Sequence, residues 1–346
     1  MEKLFFIRYK KSKDILEGGE QASQKNHNIL SEILGRDNVY TYYIHDESRR
    51  KNVTDYIGAF FHFLQNYFFG LSPRRVNEII DLAKQYDYIF IDRSVFGIIA
   101  KKLKASGYPG MIISFFHNVE VEYFKVKTPR FAFYRPLVLR CADVNDRYTC
   151  LYSDRIIALN MRDSKELKRR YNREADALIP IAMKDVYKRD TYSLALTRRQ
   201  PICFFLGAYF SANNEGIKWF IKEVYPFVDI KLMIVGKGME QLKKEITIPK
   251  GVEIINSAPE LLPFFEEADM LILPIFRGSG MKVKTCESLM YGKNILGTTE
   301  AFEGYDVNYE KVGALCNTKE EFIERISDFI TNPRPRFNSY SRNLFL

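Results

Sequence analysis

The second half of the sequence alternates short apolar runs with amphipathic segments, which restricts the folds open to the chain. Apolar runs typical of buried strands occupy residues 201–209, 230–238, 252–257, 269–276 and 294–299. The segments between these runs, at 216–224, 239–245, 260–267 and 281–291, have the pattern of helices. Strands that alternate with helices favour a parallel, doubly wound sheet.

The first half repeats the alternation less regularly. Strands are predicted at 4–8, 39–44, 86–94, 111–118 and 154–160, and helices at 21–34, 76–85, 96–105 and 164–171. A basic stretch without clear periodicity, residues 182–200, separates the halves. We predict an α/β protein of two doubly wound domains facing a cleft: residues 1–185, a linker at 186–200, residues 201–330, and a tail at 331–346.

The cysteines and the apolar segments indicate in which cellular compartment the protein works. The five cysteines are scattered, without the C-x-x-C spacing of a zinc site or redox pair. The N-terminus lacks the long apolar stretch of a signal peptide, and no segment reaches the length needed to span a bilayer. We therefore expect a cytoplasmic protein.

Charge is distributed unevenly. The chain has a net charge of +9, but residues 1–200 hold 35 basic and 24 acidic side chains, whereas residues 201–346 hold 17 and 19. This asymmetry indicates an anionic partner of the first half: nucleic acid, a phosphate-bearing acceptor or a membrane surface.

The strongest candidate site follows the strand at 269–276, in the run PIFRGSGMKVKTCESLMYGK (274–293). Gly278, Ser279 and Gly280 lead into a helix predicted to begin near Met281. Ligands of open parallel sheets bind beyond the carboxyl ends of the strands, where helix N-termini present free amides. This loop is therefore a candidate phosphate site.

Three charged side chains strengthen this interpretation. Lys282 and Lys284 add positive charge, and Glu287 could accept hydrogen bonds from the vicinal hydroxyls of ribose. Taken singly, such a turn, surface lysines and a glutamate near a helix start are commonplace. Their combination at a strand end favours a nucleotide.

The run from 274 to 305 resembles the C-terminal signature of retaining nucleotide-sugar glycosyltransferases of the GT-B fold (glycosyltransferase group 1, family 4-like). The resemblance extends to FFLGAYFSANNEGIKWF (204–220), LMIVGKG (232–238), ADMLILP (268–274) and HNVE (117–120). It implies two Rossmann-like domains, the first binding an acceptor and the second a donor.

The resemblance also implies roles for individual residues. Glu287 would hold the donor ribose, Lys284 and the amides near Gly280 the diphosphate, and His117 would face the donor sugar. The implied catalytic residues are His117, Lys284 and Glu287, and the implied donor-binding residues are Gly18, Gly19, Gly207, Asn213, Gly236, Ser257, Leu261, Gly278, Ser279, Gly280, Met281, Lys282, Lys284 and Glu287.

The sequence departs from the family pattern at three places. Ser279 stands where many relatives carry a glutamate, and Ala208 and Tyr209 follow Gly207 where relatives often have Arg and Lys. The phosphates would then depend on Lys282 and Lys284. The tail at 331–346 stops where relatives usually continue a helix that returns toward the first domain, so the resemblance implies such a return and an incomplete helix.

No metal ligand set is apparent. There is no D-x-D string, and the four histidines lack ligand spacing. We expect no metal and no cofactor beyond the nucleotide-diphosphate sugar itself. The resemblance implies front-face transfer, in which the leaving phosphate takes the acceptor proton, and family frequency favours a UDP-sugar.

The segment FKVKTPRFAFYRPLVLRC (124–141) is the candidate acceptor or membrane segment. It interleaves Lys125, Lys127, Arg130 and Arg135 with aromatic residues. Three readings remain open: contact with an anionic bilayer or lipid diphosphate, binding of single-stranded nucleic acid, or a plain amphipathic helix. We prefer membrane-surface association at the inner face of the cell membrane, with a glycan or lipid-linked oligosaccharide acceptor and no nucleic acid.

Other functions remain open at this stage. A nucleotide-sugar epimerase shares the two-domain fold, and Ser279 is compatible with a non-catalytic nucleotide-sugar-binding subunit. A nucleic-acid binder is disfavoured because the basic excess contains no recognised motif. Self-association is also left open.

Overall fold

The computed structural model describes residues 2–10, 18–45, 60–68, 70–187, 196 and 200–346. The chain divides into two compact units, Met1–Ile181 and Ala182–Leu346. Most of the predicted linker, 186–200, lies outside the described residues, so the proposed linker bounds stay a prediction.

The first unit contains a six-stranded parallel sheet with the strand order β2-β1-β3-β4-β5-β6. Its elements are β1 (Leu4–Lys10), α1 (Gly18–Leu34), β2 (Val39–His45), α2 (Pro73–Ala83), β3 (Tyr88–Ile91), α3 (Gly97–Ala105), β4 (Met111–Phe116), α4 (Glu120–Lys127), α5 (Arg135–Tyr152), β5 (Arg155–Ala158), α6 (Met161–Tyr171) and β6 (Ala177–Leu178).

The second unit contains another six-stranded parallel sheet, with the order β12-β11-β10-β7-β8-β9. Its elements are β7 (Ile202–Leu206), α7 (Ser211–Trp219), β8 (Lys231–Val235), β9 (Val252–Ile255), α8 (Leu262–Glu267), β10 (Met270–Leu273), α9 (Val283–Met290), β11 (Asn294–Gly297), α10 (Tyr309–Val312), β12 (Gly313–Leu315), α11 (Lys319–Thr331) and α12 (Ser339–Phe345).

The two doubly wound parallel sheets confirm the predicted fold class. Central strands read as continuous apolar runs because helices cover both faces of each sheet, and β10 is buried at every residue. Each sheet has its own apolar core, centred on residues such as Phe5 and Ile91 in the first unit and Phe205 and Ile272 in the second. Burial of these side chains stabilises each unit.

Strand order locates the carboxyl-edge crevice of the second sheet. The chain leaves β7 toward β8 and β9, and then returns to the other side of β7 to form β10. The switch point therefore lies between the carboxyl ends of β7 and β10, where open α/β sheets bind ligands. Gly216 of α7 packs there against Pro274: a Cβ added at Gly216 would lie 1.8 Å from the Pro274 carbonyl oxygen.

The predicted tail contains a helix, α12, that packs on α9 within the second unit. The Arg342 guanidinium of α12 donates to the carbonyl oxygen of Met290 at 2.8 Å and pairs with the Asp185 carboxylate. Among the described residues, no helix combines the length and apolar character needed to cross a bilayer.

Candidate functional site

The candidate site lies at the switch point of the second sheet and centres on Lys284 in the first turn of α9. The Lys284 ammonium donates to Asn213 Oδ1 at 2.6 Å and stands 4.7 Å from the centroid of the Phe205 ring. The Asn213 side-chain amide in turn donates to the carbonyl oxygen of Ala208 at 2.7 Å. One amide thus ties the loop after β7 to the lysine of α9.

Gly207, directly after β7, leaves the space that this arrangement needs. A Cβ at this position would lie 2.6 Å from Asn213 Nδ2 and 2.8 Å from Lys284 Nζ. Gly236, directly after β8, approaches as closely: its Cβ would lie 1.9 Å from the Gly207 carbonyl oxygen. Side chains at either glycine would displace the loop, so both positions need glycine for the close internal packing of the site.

The electrostatic state of Lys284 favours an anionic ligand. Burial and the neighbouring charge of Lys282 lower the pKa of Lys284 to about 7, and Glu287 acts in the opposite direction. An anion bound next to such a lysine stabilises its charged form, which the empty site disfavours. Its place at a helix start also aligns it with the amide dipoles of α9.

Glu287 lies three residues after Lys284, on the same face of α9. Burial raises the pKa of the Glu287 carboxyl to about 7, and Lys284 partly offsets this effect. The side chain is only half-buried, and within the described part of the chain no group hydrogen-bonds to its carboxyl. Its oxygens are available to the hydroxyls of a ligand.

We expect Glu287→Ala to weaken binding of a nucleoside such as uridine by about fivefold, because one net hydrogen bond contributes about 1 kcal/mol. Calorimetric titration with the nucleoside, which lacks phosphate, isolates this contact from Lys284. Glu324→Ala is the matched control, because Glu324 is an exposed glutamate on α11. Equal affinity of the two variants would contradict the ribose assignment.

The glycine-serine-glycine loop is held by an internal ion pair. The Lys282 ammonium donates to Glu300 Oε1 at 2.6 Å and to the Gly280 carbonyl oxygen at 2.8 Å. Gly280 has a φ of +62°, which favours glycine, and a Cβ at Gly278 would lie 2.8 Å from Glu300 Oε1.

Lys282 and Lys284 therefore have different partners, Glu300 and Asn213, and their roles toward phosphate stay a prediction. The sequence assigned both lysines to the phosphates, but Glu300 already balances the charge of Lys282. Helix α9 begins at Val283 rather than near Met281, which is buried, with Lys282 as its N-cap residue. Ser279 is half-buried within the loop.

The remaining donor residues predicted in the second unit lie at the same edge of the sheet. Ser257 is exposed and Leu261 half-buried in the loop between β9 and α8. The Asn256 side chain accepts a hydrogen bond at 2.7 Å from the amide of Gly238, which follows β8. The carboxyl ends of β8 and β9 are thereby joined next to the β7 loop.

Comparison with known proteins agrees with this geometry. Residues 200–332 match the family model described as Glycosyl transferases group 1. Most of the second unit therefore matches the group 1 glycosyltransferase family. A curated relative, an uncharacterised 44.6 kDa protein in the cps region of Klebsiella pneumoniae, is 25% identical over 75% of this chain and 69% of its own length.

Solved structures share the two-domain fold of the whole chain. Anabaena HepE in complex with UDP-glucose is 12% identical, with a TM-score of 0.66 over 100% of this chain and 94% of that one. Sucrose-phosphate synthase of Thermosynechococcus elongatus is 13% identical, with a TM-score of 0.67 over 100% and 92%. The lipopolysaccharide outer core galactosyltransferase WaaB is 14% identical, with a TM-score of 0.61 over 95% and 90%. These likenesses establish the GT-B fold around the group 1 domain.

In the first unit, His117 follows β4 and is buried, 3.4 Å (Nε2) from Asp92 Oδ1. The Asn26 side-chain amide of α1 donates to the same Asp92 oxygen at 3.0 Å. Sequence reasoning missed Asp92, although its signal was a carboxylate directly after the buried run that forms β3. The predicted role of His117 toward a donor sugar stays a prediction.

Gly18 and Gly19 begin helix α1. Residues 11–17, which precede them in the sequence, lie outside the described residues. A Cβ at Gly19 would meet no atom within 4 Å, so packing within the described residues does not require glycine there. The donor role predicted for these two glycines stays a prediction.

The candidate acceptor segment is not one amphipathic helix. Lys125 and Lys127 end α4, Arg130 lies in a turn, and Arg135 begins α5. The reading of residues 124–141 as a plain amphipathic helix is wrong, because Pro129 and Pro136 flank a change of direction and helix α4 ends before the first of them.

Proposed function

We propose that this protein transfers a sugar from a nucleotide-diphosphate sugar to a glycan or lipid-linked glycan acceptor in the synthesis of a surface polysaccharide or glycoconjugate. The observation that carries the proposal is the convergence of Gly207, Asn213 and Lys284 beside the available carboxyl of Glu287. It combines a helix start at the switch point, a cation that could balance a diphosphate, and an acceptor for ribose hydroxyls.

The chemistry follows from the charge that develops on the donor. As the glycosidic bond breaks, negative charge grows on the departing diphosphate, and the Lys284 ammonium and helix amides stabilise it electrostatically. The leaving phosphate takes the proton of the acceptor hydroxyl while that hydroxyl attacks the same face of the sugar. The configuration at the anomeric carbon is then retained without a dedicated general base, as the family resemblance implies.

A UDP-sugar is the proposed donor. The Anabaena HepE structures contain UDP-glucose or UDP, and the trehalose-phosphate synthases of similar fold are described as UDP-forming. The Klebsiella relative and WaaB support a surface glycan as the product, since one lies in a cps region and the other acts on a lipopolysaccharide outer core. We propose that the reaction takes place at the inner face of the cell membrane and needs no metal.

Calorimetric titration with UDP, GDP, ADP and their common sugar conjugates, with EDTA present, tests the donor assignment. We expect one diphosphate, UDP, to bind in the presence of EDTA. Failure of every diphosphate to bind, with or without added Mg²⁺, would contradict the function. Binding only with Mg²⁺ would contradict metal independence alone.

Ser279 favours one alternative, a subunit that binds a nucleotide sugar without transferring it. An acceptor screen that detects release of UDP separates the two functions, because only a transferase releases UDP at a rate that depends on the acceptor. Conversion of the UDP-sugar without any acceptor would instead indicate an epimerase.

A further inference from the structure

The turn between α4 and α5 presents two phenylalanines to solvent. The side chains of Phe131 and Phe133 are 95% and 94% exposed, more than any other large hydrophobic residue that the structure describes. The chain buries most of its other phenylalanines, so this exposure comes from the turn and not from the composition. Tyr134 is also exposed, with its ring 5.4 Å from that of Phe133.

The turn holds these rings outward by local hydrogen bonds. The Ala132 amide donates to the Pro129 carbonyl oxygen at 3.1 Å, and the Arg135 amide donates to the Ala132 carbonyl oxygen at 2.9 Å. The Arg135 guanidinium also donates to the carbonyl oxygen of Thr128. The rings therefore protrude from a defined turn.

Cationic side chains flank the protruding rings in the sequence. Lys127 and Arg130 precede the rings and Arg140 follows them on α5, and all three side chains are exposed. Lys125 is exposed as well but pairs with Glu122. The acidic groups of the segment are already engaged. Glu120 is buried near Arg93, Glu122 pairs with Lys125 and Arg170, and Asp143 accepts a hydrogen bond from Tyr171 and pairs with Arg170.

We propose that this turn anchors the protein to an anionic lipid bilayer, with Phe131 and Phe133 inserted among the acyl chains and Tyr134 at the headgroup level. Transfer of the apolar rings from water into the acyl chains is favourable. Each cation near the membrane surface adds about 1 kcal/mol of binding free energy through its attraction to anionic headgroups. Tyrosine is enriched at membrane interfaces for its amphipathic ring. This inference rests on the proposed function, which places the reaction at the membrane, and it names the residues that would bind the membrane.

A protein partner fits the turn less well. Each phenylalanine offers about 200 Å² of surface, so the rings together fall short of the about 800 Å² that each side of a stable protein interface buries. A small apolar protrusion with exposed cations near it in the sequence suits a bilayer, because lipids can rearrange around inserted side chains.

Co-sedimentation with large unilamellar vesicles tests the anchor. We compare vesicles of 70% phosphatidylcholine and 30% phosphatidylglycerol with vesicles of phosphatidylcholine alone. The wild-type protein is expected to partition at least tenfold better to the anionic vesicles. Phe131→Ser with Phe133→Ser should reduce that partition at least tenfold, and Lys127→Gln with Arg130→Gln should reduce it several-fold.

Ile33→Ser is the matched control, because Ile33 is a 71% exposed apolar residue on α1 of the same unit. The proposal is overturned if the wild-type protein does not bind anionic vesicles or if the double phenylalanine variant partitions like the control. It is also overturned if the turn binds an oligonucleotide and not the vesicles. UDP titration of the same variants separates the two proposals, since loss of the anchor leaves diphosphate affinity unchanged.

Discussion

Lys284→Ala should weaken the affinity for a nucleoside diphosphate at least tenfold. The substitution removes a charge-assisted contact to phosphate, which contributes about 1.5 to 3 kcal/mol. Folding should be preserved because alanine leaves no unpaired buried charge, although Asn213 Oδ1 loses its donor at a cost of about 1 to 3 kcal/mol of stability. Calorimetric titration with UDP, together with thermal unfolding, measures both effects.

Lys250→Ala is the matched control for this substitution. Lys250 is an exposed lysine before β9, at the opposite edge of the sheet from Lys284. Its replacement removes the same formal charge from the second unit without touching the switch point. If both variants lost affinity equally, the effect would come from net charge, and the phosphate assignment of Lys284 would be wrong.

The same affinity should fall as the pH rises above about 7. The pKa of Lys284 is lowered to about 7 in the empty site, by burial and by Lys282, and a bound diphosphate raises it again by favouring the charged form. The affinity is therefore highest at pH values below the pKa of Lys284 in the empty site. It declines as the pH rises from that value to the pKa of Lys284 in the complex. Between pH 7 and 9 the expected loss reaches roughly fiftyfold for full proton uptake.

Calorimetry in buffers of different ionisation enthalpy measures the proton uptake directly. Titration of the nucleotide itself contributes little to the pH dependence above pH 7, because its last phosphate proton dissociates near pH 6. Lys284→Ala is the control, since it removes the titrating group. If the affinity of the wild-type protein did not change with pH, Lys284 would not titrate in this range. If the affinity of the variant changed with pH as in the wild-type protein, another group would be responsible.

Local pattern predicted ten of the twelve strands that the structure describes, because burial on both sheet faces produces continuous apolar runs; the short strands β6 and β12 were missed. It predicted seven of the twelve described α-helices and missed α4, α5, α10, α11 and α12. It also placed Lys284 and Glu287 on one helix face, since that relation depends only on a spacing of three residues. Helix starts were less certain. Helix α9 begins at Val283 because the Lys282 backbone is extended, a detail fixed by contacts beyond the helix.

The charge partners of the site depended on distant parts of the chain. Glu300 reaches Lys282 from the loop after β11, and Asn213 reaches Lys284 from α7, 71 residues earlier. Neither pairing leaves a local trace in composition or periodicity. Asp92 joins His117 in the same way, because adjacent parallel strands end at one edge of the sheet although their residues are far apart in sequence.

The ion pair between Lys282 and Glu300 has a consequence for turnover. Under the proposed function, Lys282 should contribute less than Lys284 to binding the diphosphate that remains after transfer, because Glu300 pairs with it. The product would then be held mainly by Lys284, and its affinity would fall whenever Lys284 loses its proton. Such an enzyme could stabilise charge during bond cleavage and still release its product quickly, which matters because product release often limits the rate of well-evolved enzymes.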